Sequence, residues 1–263
     1  MLVCIKGAGD LASGIAIRLH RSKIDVVMTD LPVPLAVRRT VAFSEAIRLG
    51  STKVEDVEAE RAECLEDVKK CLAKGVIPVI ADPEARIIDE IRPEVVVDAI
   101  LAKRNTGTSI DDADLVIGVG PGFTAGKDCH AVIETKRGHT LGRVIRKGSA
   151  IPNTGVPGNI GGQTINRLLK APCEGIFHPE KKIGDIVKEG ERVANVDGTP
   201  VCALTSGKIR GMLQDGVPVT KGLKSGDVDP RGSAVDHLTV SDKALSIGGG
   251  VLEAILSYAG DRL

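Results

Sequence analysis

The sequence has no tryptophan, one tyrosine and three phenylalanines in 263 residues, so it lacks the aromatic platforms on which single strands or RNA bases stack. It also lacks net charge. Its 35 Lys and Arg balance 35 Asp and Glu, which removes the field that would draw the whole chain to nucleic acid or an anionic membrane. No uninterrupted apolar run approaches the roughly 20 residues of a membrane span. The opening MLVCIKGAGD has the character of a strand entering a glycine turn, not of a signal peptide. Cys4, Cys64, Cys71, Cys129, Cys173 and Cys202 form no CxxC and no framework spacing, the pattern of reduced thiols. These absences lead to the expectation of a cytoplasmic globular chain with neither a nucleic-acid nor a membrane partner.

What the sequence does have is unevenly placed glycine. Five of its 31 glycines precede residue 106, and the other 26 follow. In the glycine-poor part, LVCIK (2–6), DVVMTD (25–30), VIPVIAD (76–82), EVVVDAI (94–100), LVIGV (115–119) and HAVIE (130–134) have the β-branched character of strands buried on both faces. Helical stretches fall at Leu11–Leu19, Phe43–Leu49, Val54–Ala73 and Glu84–Ile91, and strands alternating with helices imply a parallel sheet. Residues 1–148 are therefore expected to form an α/β, Rossmann-like, mostly parallel sheet domain that binds a nucleotide or cofactor.

Residues 149–263 are expected to form a glycine-rich β domain ending in a helix from about Val251. The segment IPNTGVPGNIGG (151–162) is a linker or a loop over a site. After it, Gly175, Gly184, Val187 and Gly190 recur 32 residues later as Gly207, Gly216, Val219 and Gly222. Two copies of one β unit, joined near a turn-forming Asp197-Gly198, resemble a biotinyl/lipoyl-type barrel-sandwich. No lysine lies between Lys188 and Lys208, so no lipoyl or biotin attachment is expected.

The first glycine loop carries the sharpest chemistry. Gly7, Gly9 and Ala12 match G-x-G-x-x-G/A between an apolar strand and an apolar helix, a turn that brings backbone N–H groups close to a phosphate. Asp30 lies 21 residues after Gly9, where a ribose-binding acid belongs, whereas Asp10 would crowd a phosphate with a carboxylate. The predicted strand ends are Gly7, Asp30, Asp82, Asp98, Gly120 and Glu134. Ligands of parallel sheets bind at such carboxyl ends. Arg38, Arg39, Lys103, Arg104, Asn105, Arg137 and Arg143 follow them with groups suited to anions. Gly120 and Gly122 form a second glycine loop. The candidate cofactor-binding set is thus Gly7, Gly9, Asp10, Ala12, Asp30, Asp98, Lys103, Asn105, Gly120, Gly122, Glu134 and Arg137. His130, Glu134 and His139 match no metal template, and the first two sit about 13 Å apart along a strand, too far to share an ion. Cys129 is expected to be a small core residue rather than an activated thiol.

KGAGDLASG (6–14), PLAVRRTVAFSEA (34–46), DAILAKRNTGT (98–108), GPGFTAGKDCHAVIETKRGHTLGRVI (120–145), PNTGVPG (152–158), DPRG (229–232) and SDKA (241–244) resemble the selenium-dependent molybdenum hydroxylase system proteins of the YqeB type. That family is related to the xanthine dehydrogenase accessory factors, which pair a Rossmann domain with a separate module. The resemblance implies an accessory protein in the maturation of selenium-dependent molybdenum hydroxylases. It would bind a phosphorylated dinucleotide such as the molybdopterin dinucleotide and contact a hydroxylase client. Position 129 is usually aliphatic in that family, so the resemblance gives Cys129 no role in carrying selenium or sulfur. Two other readings fit the residues: an NAD(P)-dependent oxidoreductase, and a non-catalytic adaptor with a vestigial pocket.

Overall fold

The computed structural model describes residues 1–153, 155, 158 and 161–260. The chain divides into two units, one of residues 1–34, 42–153 and 240–263, the other of residues 35–41 and 154–239. In the first unit β1 (Leu2–Lys6), α1 (Asp10–Arg21) and β2 (Asp25–Asp30) are followed by α2 (Glu45–Leu49), β3 (Ser51–Val54), β4 (Val57–Ala62), α3 (Leu65–Ala73) and β5 (Ile77–Ala81). Then come α4 (Ile87–Ile91), β6 (Val95–Asp98), β7 (Leu115–Val119), β8 (Thr124–Ala125), β9 (Ala131–Ile133), β10 (Val144–Ile145) and β11 (Gly148–Ser149). A last helix, α5 (Asp242–Gly260), returns from the far end of the chain.

Nine of these strands form one sheet in the order β10-β9-β7-β6-β1-β2-β5-β4-β3. Its centre is parallel and buried, with Val3, Cys4, Ile5, Val96 and Val97 all fully inaccessible. Burial on both faces is what their unbroken apolar runs demand. Each edge is closed by an antiparallel pair, β3 with β4 and β10 with β9.

The expected Rossmann-like, mostly parallel class is therefore corrected to a mixed sheet with few helices. The alternation of strand and helix stops at β6, because 99–114 and 120–130 are rich in glycine, threonine and aspartate, poor helix formers. On that side α5 supplies the packing instead, against β7, β9 and β10 as well as α1. The expected helix over 54–73 is also corrected at its first half. Residues 51–62 form a hairpin turning at Glu55 and Asp56, Glu55 having a φ of 55°. Val57, Ala59 and Ala62 are buried while Glu58 and Arg61 are exposed, so the glutamates line the wet side of a strand and not a helix.

The second unit contains β12 (Leu168–Lys170), β13 (Gly175–Pro179), β14 (Ile186–Val187), β15 (Arg192–Val196), β16 (Thr199–Cys202), β17 (Gly207–Met212), β18 (Val217–Val219) and β19 (Lys224–Asp229). They form two four-stranded antiparallel sheets, β12-β19-β17-β14 and β16-β15-β13-β18. The 32-residue repeat explains this pairing. β13 takes β18 from the other copy, and β17 takes β14, so neither half could form its sheet alone. Matching glycines share left-handed backbone: Gly184 and Gly216 have φ of 104° and 78°, Gly190 and Gly222 of 82° and 86°. Phe177, Ile209, Met212 and Val228 are completely buried between the strands. The description as a biotinyl/lipoyl-type barrel-sandwich is replaced by this interleaved pair of sheets.

The unit boundaries also differ from 1–148 and 149–263. Residues 35–41 join the second unit, where the Met212 N–H donates to the Val37 carbonyl at 2.7 Å and Arg39 Nε donates to the Met212 carbonyl at 2.8 Å. The C-terminal helix belongs to the first unit and starts at Asp242, nine residues before the expected Val251. Thr154, Val156, Pro157, Asn159 and Ile160, within the expected linker and the PNTGVPG segment, lie outside the described residues.

Candidate functional site

β1 delivers the chain to Gly7, whose φ of 98° turns it across the sheet edge. A Cβ there would lie 3.0 Å from the Ala99 carbonyl oxygen, so Gly7 is required by the close passage of the loop after β6. Gly9 is the N-cap of α1, with no side-chain cap on the helix. A Cβ at Gly9 would meet nothing within 4 Å, so the space in front of its Cα is open. Ala12 is buried at 1% exposure, and Ser13 next to it donates to the Ala8 carbonyl and accepts the Phe43 N–H. Asp10 opens α1 in that first turn.

Several of the other candidates bind the loops of this edge to one another. Asp30 accepts the Ala8 N–H and the Leu31 N–H, each at 2.7 Å, and so holds the glycine loop in shape. Burial lifts its carboxyl above the usual carboxylate range, against the pull of those two N–H groups. Asp98, at 1% exposure, accepts the Thr108 hydroxyl at 2.7 Å and the Ile100 N–H at 3.1 Å. Asn105 accepts the N–H groups of Gly107 and Thr108 and donates to the Thr108 carbonyl, folding its own loop. Lys103 in that loop is exposed, with a left-handed φ of 62°. Gly120 and Gly122 are required by close neighbours, Thr135 and the Arg104 backbone respectively. Glu134 is buried and accepts the Lys136 and Ile151 N–H groups at 2.7 and 2.8 Å. Arg137 holds Asp242 with two bonds of 2.8 and 3.2 Å, tying the loop after β9 to the start of α5.

Two lysines enter the site that the glycine motif did not single out. Lys6 is buried at 6% exposure, and its ammonium donates at 2.6 Å to the same Thr108 hydroxyl that donates to Asp98. Its signal was a charged residue closing an otherwise apolar strand. Lys243, the second residue of α5, lies within the field of Arg137, Asp10, Glu134 and Asp242. Burial holds its pKa below the usual lysine value, and Arg137 pushes the same way while the three carboxylates oppose it. It lies in the SDKA segment (241–244) but was given no role, because α5 was expected to begin after it.

Away from this edge, His130 precedes β9 at the opposite, amino end of the strands, where its Nδ1 accepts the Val116 N–H at 3.0 Å. A cavity of about 720 Å³ lies there, lined among others by Asp89, Arg92, Glu94, Asp111 and His130. Cys129 is fully buried, and burial pushes its thiol up to about 11, the reverse of activation.

The fold and site together define an α/β unit whose glycine loops and charged groups gather at the carboxyl edge of a mixed sheet, joined to an antiparallel β unit. The chain is 51% identical over 255 residues to the uncharacterized protein YqeB of Escherichia coli (strain K12), a match covering 97% of this chain and 47% of that protein. The chain spans about half the length of this curated relative. No family model matches the chain. Among solved structures it is similar to an aspartoacylase family protein from Mesorhizobium loti, at 10% identity and a TM-score of 0.30, over 86% of this chain and 84% of that one. It is also similar to a succinylglutamate desuccinylase/aspartoacylase from Rhodobacter sphaeroides, at 17% identity and a TM-score of 0.27, over 86% and 85%. Among the described residues no helix is long and apolar enough to cross a membrane.

Proposed function

We propose that the carboxyl edge of the mixed sheet binds a phosphorylated small molecule, with a phosphate at the first turn of α1. The observation that carries this reading is Gly9, which opens α1 without a side-chain cap and faces empty space where a Cβ would project. Unpaired N–H groups at a helix start favour an anion both by hydrogen bonding and through the helix dipole. The surrounding carboxylates support the reading differently from expectation. Asp30, Asp98 and Glu134 fix the loops rather than reach for a ribose. A rigid, preformed edge of that kind lowers the ordering cost of binding.

The finer proposal is that the ligand is the molybdopterin dinucleotide and that the chain serves the maturation of selenium-dependent molybdenum hydroxylases. It is supported by the resemblance of the quoted segments alone. The test of the site is Gly9→Val. The residue has φ of −71° and ψ of −177°, a conformation that valine adopts freely, so the fold should survive. Titration with ADP, NAD⁺ and molybdopterin dinucleotide should show binding to the wild type and none to the variant at a matched melting temperature. Unchanged affinity in the variant would make the loop purely structural.

A further inference from the structure

We propose that the crevice outside the ends of β1 and β6 binds a phosphate group of a small molecule, through the buried Lys6 and the exposed cations Lys103 and Arg104. The class of ligand is that of the reading above, but the place is a different one and stands on different observations. Its first support is topology. The chain leaves β1 for β2, β5 and the β3–β4 hairpin on one side, then returns across it to β6, β7, β9 and β10 on the other. The strand order reverses between β1 and β6, and an open parallel sheet binds its ligands outside the carboxyl ends at that point. Lys6 and Asp98 are the last residues of these two strands and face each other in register.

The second support is Lys6 itself. An ammonium has three N–H donors, and that of Lys6 has one partner among the described residues, the Thr108 hydroxyl at 2.6 Å. It forms no ion pair there. Asp98 reaches it only through that hydroxyl and spends its other oxygen on the Ile100 N–H. Thr108 belongs to the loop that follows β6, so the ammonium lies past the strand ends and not on a face of the sheet. Lys6 is 6% exposed, and two unmet donors on so buried a cation are costly. Phosphate oxygens would meet them.

The third support is the loop 99–108. Cβ atoms on Gly7, Gly120 and Gly122 would lie 3.0 Å from the Ala99 carbonyl oxygen, 3.4 Å from Leu101 Cδ2 and 2.7 Å from Arg104 Cα. These contacts hold the loop across the ends of β1, β6 and β7. Leu101 and Lys103 each take a φ of 62°, a left-handed backbone that is strained for such residues and recurs where loops clamp ligands. Lys103 and Arg104 are exposed and bonded to no other described residue. With Lys6 they set three cations against the one carboxylate of Asp98. The surplus of positive charge is close to the roughly two negative charges of a phosphate group.

Thermal unfolding of the full chain in millimolar sodium phosphate, compared with chloride and succinate at matched ionic strength, tests this. A ligand of the native state raises the melting temperature as its concentration grows. The wild type should respond to phosphate and not to succinate. Lys6→Met should show no response, whatever its own melting temperature in chloride. Lys103→Asn keeps a residue that tolerates the left-handed backbone, and should need about tenfold more phosphate for the same rise. Should Lys6→Met fail to fold, Lys103→Asn decides alone. The response should persist in Gly9→Val, which separates this site from the first turn of α1. No response in the wild type, an equal one to succinate, or an undiminished one in Lys6→Met or Lys103→Asn overturns the proposal. Loss in Gly9→Val alone also overturns it and assigns the phosphate to α1.

Discussion

Asp30 carries more of the site's geometry than its place at a strand end suggests. Its carboxylate fixes two backbone N–H groups, one of them at the centre of the glycine loop, while burial works against its charge. Its folded pKa lies above the unfolded value of about 3.9, so the folded chain holds that proton more tightly. The stability it contributes is therefore present below the unfolded pKa and lost as pH rises through the folded one. Denaturant unfolding of the wild type and Asp30→Asn across that window should show the wild type losing ground as pH rises. A wild type that gains ground would contradict the burial argument. The thiols divide on the same physics. Cys64 is exposed, whereas burial pushes Cys4 up to about 12 and Cys129 to about 11. A thiol reagent followed by mass spectrometry should label Cys64 in the native chain and reach Cys4 and Cys129 only on unfolding. Native labelling of Cys129 would reopen it as a chemical group.

Among the elements, the glycines of α1 and α5 decide most. Gly14→Ala places a methyl into Ala244 and should destabilise by about 1–3 kcal/mol, the range for overpacking. Gly249→Ala meets nothing within 4 Å and should stabilise by about 0.5–1 kcal/mol through helix propensity. Chemical unfolding of the two variants checks the pair, and a reversed order would mean that α5 does not pack on α1. The same glycines show what was legible in the sequence. IGGG (247–250) has the composition of a helix stop, so α5 was placed too late and Lys243 was missed. Long-range contacts of Gly248 with Gly14 and of Gly250 with Gly142 made two of those glycines useful inside a helix. The alternation of Val57 and Ala59 with Glu58 and Glu60 was present but outweighed by glutamates that suit a helix equally well. The buried strands and the strand–glycine–helix start at 2–21 were readable because local pattern alone determines them.

At the scale of the whole molecule, the repeat in the second unit could be counted from glycines, since left-handed turns admit little else. Its exchange of β14 and β18 between halves could not, because pairing partners leave no mark on local composition. The first unit shows the same limit. Its candidate residues lie at the carboxyl ends of the strands, yet which of them hold loops depended on contacts far apart in sequence. Asp98 with Thr108 and Glu134 with Ile151 are two such contacts. At that edge a Cβ on Gly9 would meet nothing within 4 Å. The most direct measurement is mass spectrometry of the small molecules released when the chain, purified from a native host, is denatured. The account expects a phosphorylated compound in stoichiometric amount from the wild type and none from Gly9→Val purified alongside it. Equal recovery from both, or no phosphorylated compound from either, would contradict it.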